Sequence, residues 1–410
     1  MREEIRMDTP LTLKNGTIVK NRFLKSAMSE QLGDRLHNPG PGLAKLYGAW
    51  AEGGVGISVT GNVMIDRTAL GEPANVVLDG KSDLAAFRRW AEAGTANGTQ
   101  LWMQLNHPGK QTPRFLSAEP VAPSAIPLGA GLEKSFNRPR ALSAEEVSQV
   151  VEKFALSARL AKEAGFTGVQ IHGAHGYLVS QFLSPRHNAR DDEWGGDAAR
   201  RRRFVLAVYE GIRREVGADY PVSIKLNSAD FKKGGFTEEE SMAVVRALAD
   251  AGIDLVEISG GTYESPSMTG HGVRESARGR EAYFLAYAER VRALVDTPLA
   301  VTGGFRSGSA MAAALSEGAL DMIGLARPMA VQPDMPGRLL RDPDHALRLT
   351  RPTTGVRWVD RMTMLDITWY EQQLSRISRD LEPSVTLGAW SSVFRTLSSM
   401  GGYAFRKRRA

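Results

Sequence analysis

The sequence of 410 residues contains no cysteine. This absence excludes disulfide bonds, thiolate metal sites, iron–sulfur clusters and cysteine nucleophiles. The sequence also lacks a run of about 18–20 apolar residues, the length that a helix needs to span a bilayer. Its first residues, MREEIRMDTPLTLKNG, hold no apolar core of signal-peptide length. We therefore expect a cytoplasmic protein with no membrane span.

A basic stripe interleaved with aromatic residues is also missing, although the formal net charge is +6. Much of the basic excess is local, in ARRRRF at 199–204 and in FRKRRA at the end of the sequence. We interpret the first run as a solvated helix face and expect no nucleic-acid partner. With 42% hydrophobic and 24% charged residues, the chain can bury a large core.

Short apolar strands alternate with amphipathic helices along most of the chain. The predicted strands span residues 22–28, 56–61, 100–105, 168–172, 222–227, 255–259, 299–303 and 322–326. Eight such units favour a parallel sheet and match the number that closes a barrel. A doubly wound open sheet is the competitor, but it usually has a glycine-rich fingerprint after its first strand. We therefore predict an α/β fold, a (β/α)8 TIM barrel.

Local signals mark several element ends. Asn15-Gly16 lies inside the segment 11–19 and predicts an N-terminal hairpin that closes the bottom of the barrel. Ser143 is followed by acids at 145 and 146, a pattern typical of a helix N-cap with charges that favour the helix dipole. Gly165 is a plausible residue after the end of the same helix.

Two long segments and a tail complete the predicted organisation. Residues 106–142 and 260–280 follow strand ends, so we expect long βα loops that act as lids or binding loops on the face where barrels place active sites. Residues 1–342 form the predicted barrel. Residues 343–410 form a C-terminal helical extension. Its aromatic residues indicate packing on the barrel or on a partner subunit, which leaves a homo-oligomer through this tail open.

Polar residues gather at the predicted carboxyl ends of the strands. A lysine in an apolar strand such as VSIKLN is costly to bury without an anionic partner. Lys225 therefore indicates an anionic ligand or an acid on a neighbouring strand. The residues at these ends are Ser26, Met28, Ser29, Thr60, Gly61, Asn62, Gln104, His107, His172, His175, Lys225, Gly303, Gly304 and Arg327.

The last two strands end in a pattern typical of a phosphate site. VTGGFRSG supplies Gly303 and Gly304 before a helix, so that backbone N–H groups can approach an anion. GLARPM places Arg327 at the start of the next helix. The loops after strands seven and eight form the common phosphate site of barrels. A tight turn is the simpler interpretation of the two glycines alone.

His172 and His175 stand at the end of the fourth strand, close to Tyr177. They could be satisfied polar groups, a catalytic pair or zinc ligands. The spacing HxxH lacks the glutamate base of HExxH, and no cysteine can assist, so we predict no metal.

The motifs resemble those of a known family, the old yellow enzymes, which are FMN-dependent NAD(P)H oxidoreductases or ene-reductases. The resemblance covers roughly residues 8 to 340. It is carried by NRFLKSAMS, GVGISVTGN, QLNHPGKQ, GFTGVQIHGAHGYLVSQFLSPRHNARDDEWGG, REAYF, VTGGFR and GLARPM. The block at 165–196 is the most specific of these.

The resemblance implies roles for individual residues. His172 and His175 would donate hydrogen bonds to a substrate carbonyl, and Tyr177 would donate a proton. Lys225 would lie near flavin N1. The remaining implied FMN contacts are Ser26, Ala27, Met28 and Ser29 along the ring, Asn62 beside it, Gln104 at its pyrimidine edge, and Gly303, Gly304, Ala326 and Arg327 at the phosphate.

The implied activity is a ping-pong reduction of the C=C bond of an α,β-unsaturated carbonyl compound, a small-molecule enone or enal. NADPH or NADH would reduce FMN, and flavin N5 would then give hydride to the β-carbon. Four residues depart from the family pattern. Ala27 stands where Pro is common, and Ala326 replaces a frequent Gly. Ser29 stands where Cys or Thr is common, and Lys225 stands where Arg is common, which loses the bidentate fork.

Two other functions stay open from the residues. The first is a flavin-free TIM-barrel lyase, isomerase or hydrolase that uses the phosphate site and the pair His172 and His175. The second is a binding or membrane-associated protein whose barrel is a scaffold for a functional basic tail. Because barrels host many chemistries, the fold alone does not choose between these functions.

Overall fold

The computed structural model describes residues 5–129, 131–261, 284–347, 349 and 352–407, with side chains up to residue 398. Eight parallel strands close into a barrel in the order β10-β11-β12-β3-β4-β5-β8-β9. They are β3 Phe23–Lys25, β4 Ile57–Met64, β5 Gln100–Asn106, β8 Gly168–Gly173, β9 Val222–Asn227, β10 Leu255–Ser259, β11 Leu299–Thr302 and β12 Met322–Leu325. All eight predicted strands are confirmed, and the fold is a (β/α)8 TIM barrel.

Helices surround this barrel and continue into the C-terminal extension. Those of the first half are α1 Pro41–Glu52, α2 Leu84–Gly94, α3 Ala144–Glu163, α4 Leu178–Leu183 and α5 Ala198–Val216. The later ones are α6 Glu238–Ala251, α7 Leu285–Arg292, α8 Gly308–Ser316, α9 Arg327–Val331, α10 Met335–Arg341, α11 Arg357–Met362, α12 Leu365–Ile377 and α13 Ala389–Lys407.

The predicted hairpin pairs β1 Leu11–Thr12 with β2 Ile18–Val19. Its apolar residues Leu11, Leu13 and Val19 belong to one buried cluster with residues that lie at or near the amino ends of the barrel strands. The hairpin therefore closes the end of the barrel opposite the carboxyl ends of the strands. This position leaves the carboxyl ends for the site.

Helix α3 shows how sequence signals set an element's limits. The Ser143 side chain accepts from the N–H of Glu146, and the Glu146 carboxylate accepts from the N–H of Ser143, which makes a full capping box. The chain leaves the helix through Gly165 at a φ of 93°, which a side chain would strain. The predicted cap and end are both confirmed.

The basic run at 199–204 lies in α5, but it is not wholly solvated as predicted. The Arg201 side chain is buried, forms an ion pair with Glu240, and donates to the carbonyl oxygens of Leu183 and Gly196. A position facing the neighbouring helix turns this arginine inward. The sequence of this run does not distinguish the buried Arg201 from the other arginines.

The loop after β5 carries a small parallel pair, β6 Val121–Ala122 with β7 Arg140–Ala141. Lys110 is fully buried in this loop and donates to the carbonyl oxygen of Ile126 at 2.8 Å. Its Nζ also lies 2.8 Å from His187 Nδ1. The loop is therefore anchored over the barrel by buried polar contacts. The second predicted loop spans residues 260–280, and its residues 262–280 lie outside the described residues.

The C-terminal extension lies against the barrel. Trp369, Tyr370 and Leu374 of α12 are buried in the same apolar cluster as residues of α1. The Lys45 ammonium of α1 forms an ion pair with Asp380, just beyond α12. A domain boundary at 342 stays a prediction.

Candidate active site at the carboxyl ends of the strands

Polar residues of adjacent strands lie side by side in the barrel sheet. Gln104 of β5 is in register with Asn62 of β4 on one side and with Gln170 of β8 on the other. Lys225 of β9 is in register with His172 of β8 and with Glu257 of β10. The closed sheet therefore brings together residues that are almost 200 positions apart in the chain.

Glu257 is the centre of a buried hydrogen-bond network. Its carboxylate lies 2.9 Å from Lys225 Nζ and accepts a hydrogen bond of 2.7 Å from Thr302 and another from Ser26. Gln170 donates to its second oxygen at 2.9 Å. The side chain of Glu257 is fully buried and that of Lys225 almost so, and the two opposite charges compensate each other inside the protein.

The network has an electrostatic signature. Burial alone would raise the pKa of Glu257, but Lys225 and the two hydroxyl groups hold it below its ordinary value of 4.5. Gln104 extends the network, because its amide donates to Gln170 at 2.8 Å. The acid on a neighbouring strand, which the sequence left open as the partner of Lys225, is therefore present as Glu257.

His172, His175 and Tyr177 form one cluster at the end of β8. The two imidazole rings are 5.2 Å apart between centroids and nearly perpendicular. The ring of Tyr177 lies 4.8 Å from that of His172. His175 has a left-handed φ of 61°, and its backbone N–H donates to Asn227 at 3.2 Å. This backbone turn aims the second histidine at the same region as the first.

Both imidazoles are neutral at physiological pH. Burial lowers the pKa of His172 well below 6.5, and His175 and Lys225 lower it further. Burial followed by Lys225 lowers the pKa of His175 to about 3. The Nδ1 of His172 lies 3.4 Å from the N–H of Ala174, as an acceptor, so its proton resides on Nε2. His175 Nε2 lies 2.9 Å from Ser259 Oγ.

The ends of β11 and β12 form a cradle of small residues. Gly303 and Gly304 have φ values of 124° and 99°, where a side chain would be strained. At Gly324 an added Cβ would lie 1.9 Å from the Oγ1 of Thr302. Arg327 begins α9 directly after β12, which pairs with β11. A ligand can therefore approach the backbone closely at Gly303 and Gly304, and the cationic residue Arg327 follows the neighbouring strand.

The segment after β3 holds the four residues predicted along a flavin ring. Ser26 joins the network of Glu257, whereas the Ser29 hydroxyl donates to Glu72. Ala27 and Met28 between them are half-buried. The predicted ring contacts therefore have different surroundings. Ser26 contacts Glu257 in the barrel interior, whereas Ser29 contacts Glu72 outside it.

A second carboxylate reaches the same segment from the extension. Glu371 of α12 accepts a hydrogen bond of 2.9 Å from Gln31, which lies two residues after Ser29. Burial, followed by the nearby carboxylate of Glu72, raises the pKa of Glu371 to about 8. Burial also raises the pKa of Glu72. The extension is therefore connected to the edge of the site.

Behind the segment, Lys25 lies in an aromatic surrounding. Its Nζ is 4.1 Å from the ring centroid of Trp50 and donates to the Tyr47 hydroxyl at 3.2 Å. That hydroxyl donates to Glu30 and accepts from the N–H of Gly61 at 2.9 Å. Burial lowers the pKa of Lys25 to about 7, against the opposing effect of Glu30. These contacts fix the irregular register of β4 just before Asn62.

The sequence reasoning missed Glu257, Gln170, Glu72 and Glu371. Glu257 stands in the apolar strand LVEIS, so the argument that singled out Lys225 would have found it as well. Glu371 carries no such signal, because it lies on an amphipathic helix of ordinary composition.

Within the described ranges, no group of three or more His, Asp and Glu side chains is arranged to hold a metal ion. No helix in the described part of the chain combines the length and apolar character needed to cross a membrane.

Comparison with known proteins places the chain in a family. Residues 7–343 match the model of the NADH:flavin oxidoreductase / NADH oxidase family. The NADH-dependent flavin oxidoreductase iccE of Talaromyces variabilis is 36% identical, over 92% of this chain and 99% of the relative.

Solved structures of other proteins are also similar to this chain. A complex of 2-naphthoyl-CoA reductase matches with a TM-score of 0.75 at 27% identity, over 82% of this chain and 52% of that one. Morphinone reductase in complex with tetrahydroNAD matches with a TM-score of 0.69 at 25% identity, over 85% and 93%. The flavin-free barrel enzyme that the sequence left open loses its support, since this family uses FMN with NAD(P)H. The chain belongs to the NADH:flavin oxidoreductase / NADH oxidase family, that of the old yellow enzymes, and is an FMN-dependent oxidoreductase.

Proposed function

We propose that this oxidoreductase reduces the C=C bond of α,β-unsaturated carbonyl compounds, in a ping-pong cycle with NADH or NADPH. The observation that carries the proposal is the cluster of His172, His175 and Tyr177. The two neutral imidazoles can each donate a hydrogen bond to a carbonyl oxygen. The phenol can donate a proton to a developing carbanion.

The residues present fit FMN. Lys225 and Gln104 supply a cation and an amide donor inside the barrel, and Asn62 lies in register beside Gln104. Gly303 and Gly304 leave their backbone open beside Arg327 and Ala326, which suits a phosphate. We propose that these residues, with the segment from Ser26 through Ala27 and Met28 to Ser29, hold the cofactor. When bound, FMN supplies the hydride chemistry, and the protein orients and tunes it.

The histidines have an electrostatic role in this proposal. As the carbonyl oxygen of the substrate gains negative charge, each imidazole donates one hydrogen bond to it. Neutral imidazoles suit this role, since they donate without binding the substrate oxygen as a fixed ion pair. Burial and Lys225 keep both rings neutral, so the donors need no change of protonation state during turnover.

Tyr177 would protonate the α-carbon. A phenol with an ordinary pKa near 10 keeps its proton at neutral pH and can act as a general acid. Tyr177 is buried at the N-terminus of α4, which holds its ring against His172. We place the reaction in the cytoplasm, where NAD(P)H is continuously regenerated.

The test combines spectroscopy with three variants. The purified protein should show flavin absorbance bands that bleach with NADH or NADPH under anaerobic conditions and return on addition of cyclohexenone. His172→Ala and His175→Ala should each lower the rate of reoxidation by enone about 10²–10³-fold. Tyr177→Phe should lower it about 10²–10⁴-fold.

Tyr209→Phe is the matched control, because it removes a buried phenol hydroxyl that contacts only Ala251 and Arg213 on the outer helices among the hydrogen bonds described. It should leave the rate of reoxidation unchanged. If the double variant of His172 and His175 kept both enone affinity and turnover, the assignment of these residues would be wrong.

A further inference from the structure

Helix α13 buries Ser392 and Val393 against the rest of the protein but leaves several large apolar residues exposed. The residues that it turns toward α12 include Ser392, which is fully buried and exchanges two hydrogen bonds with Gln372, of 3.0 Å each. Its exposed residues include Trp390, Phe394 and Leu397, which are 48%, 68% and 45% exposed. A helix that only covered the protein would place residues of this size and apolar character inside.

The three exposed residues form a stripe, because spacings of four and three residues place them on one face of the helix. The stripe belongs to a stretch of the sequence that is rich in exposed large apolar residues. Fourteen large apolar side chains are exposed among the described residues, and nine of them lie between 356 and 397. Such a concentration is typical of a surface that meets another apolar phase.

The charge of this segment narrows the choice of that phase. The sequence from 383 to 410 contains no acidic residue and five basic ones: Arg395, Arg406, Lys407, Arg408 and Arg409. An exposed apolar stripe that carries tryptophan, in an acid-free and basic segment of sequence, is typical of helices that lie in the interface of an anionic membrane.

We propose that the outer face of α13 binds the surface of an anionic lipid bilayer. Trp390, Phe394 and Leu397 would enter the boundary between headgroups and acyl chains, with Arg395 beside the lipid phosphates. The helix would lie in the membrane plane and would not cross the bilayer.

A second copy of the chain is the competing occupant of this face. Pairing two such faces would bring two acid-free basic segments together, and no described acidic residue of α13 could neutralise them. An anionic surface instead gains from every basic residue. The charge pattern therefore favours lipid over self-association.

The experiment uses the full chain with FMN bound and measures co-sedimentation with vesicles. One set contains phosphatidylcholine alone, and the other contains phosphatidylcholine with phosphatidylglycerol. We expect binding to the anionic vesicles only, weakening as the salt concentration rises. Trp390→Ser with Phe394→Ser should lower the partition coefficient at least about tenfold, because it removes most of the apolar stripe.

Ile18→Ser with Leu36→Ser is the matched control, since both residues are also exposed and lie outside the extension. It should bind as the wild type does. Arg395→Gln keeps the stripe intact and should weaken binding about fivefold. Flavin absorbance and circular dichroism verify that each variant is folded.

Three results would overturn the proposal. The protein could fail to sediment with anionic vesicles at low salt, or the stripe variant could bind as tightly as the control variant. Light scattering could instead show that the stripe variant turns a dimer into a monomer, with no vesicle binding by either form, and the face would then be a subunit interface. None of these results depends on enone turnover, so the proposed reaction stands or falls separately.

Discussion

Replacing Glu257 with glutamine removes the negative charge from the centre of the barrel and keeps the shape of the side chain. Lys225 then has no carboxylate at 2.9 Å and remains about 96% buried. At this distance an effective dielectric of about 20 gives an attraction of roughly 6 kcal/mol, part of which offsets the desolvation of both ions. Removal of one partner of a buried pair typically costs about 3–5 kcal/mol, and we expect Glu257→Gln to lose that much.

The assay is urea unfolding at pH 7 without FMN, because bound cofactor would add its own stabilisation. Lys225→Met and the double variant Lys225→Met with Glu257→Gln complete a double-mutant cycle. The double variant should lose at least about 2 kcal/mol less than the sum of the single losses, since it leaves no unpaired charge. Glu163→Gln is the surface control. Glu163 forms an exposed pair with Arg159, and its removal should cost at most about 0.5 kcal/mol.

Two outcomes would refute this reasoning. A loss below about 1 kcal/mol for Glu257→Gln would mean that the charge of Lys225 is compensated elsewhere. Additive losses in the cycle would mean that the two side chains do not interact in the folded protein.

Three further predictions concern stability. The pKa of Glu371 is raised to about 8 from its ordinary 4.5, so the folded state holds a proton that the unfolded state releases in this range. Stability should fall as the pH rises from 4.5 to 8, and Glu371→Gln should flatten this part of the profile measured by urea unfolding. Gly324→Ala would place a methyl group 1.9 Å from the Oγ1 of Thr302, and thermal unfolding should show a loss of about 1–3 kcal/mol. Ser143→Ala should cost about 1 kcal/mol because it removes the capping box of α3, whereas Ser148→Ala on the exposed face of the same helix should cost nothing.

Each of these has a clear contrary result. An unchanged pH profile in Glu371→Gln would mean that another group takes up the proton. Full stability of Gly324→Ala would mean that β11 can move away from β12. Equal effects of the two serine variants would mean that the cap of α3 contributes nothing.

The periodicity of the sequence predicted the barrel well, for a physical reason. Each strand that is buried on both faces appears in the sequence as a short apolar run, and each covering helix appears as an amphipathic segment. Both kinds of element can therefore be predicted without knowing which other elements they contact. Local chemistry likewise predicted the hairpin at Asn15-Gly16 and the cap at Ser143, because the contacts involved span only a few residues. The motif at 165–196 marked His172 and His175, whose proximity follows from their spacing.

Tertiary structure alone decided which groups compensate the buried charges. Glu257 meets Lys225 because β9 and β10 are neighbours in register, and the residues between these two strands do not encode that register. Glu371 meets Gln31 across 340 positions of sequence, through the packing of α12 on the barrel. The face of α13 that points outward was also undetermined, since an amphipathic pattern fixes the two sides of a helix but not which of them meets the protein. Contacts between residues that are close in sequence can be predicted from the sequence itself. Contacts between distant residues form only when the barrel sheet closes and the C-terminal extension packs against it.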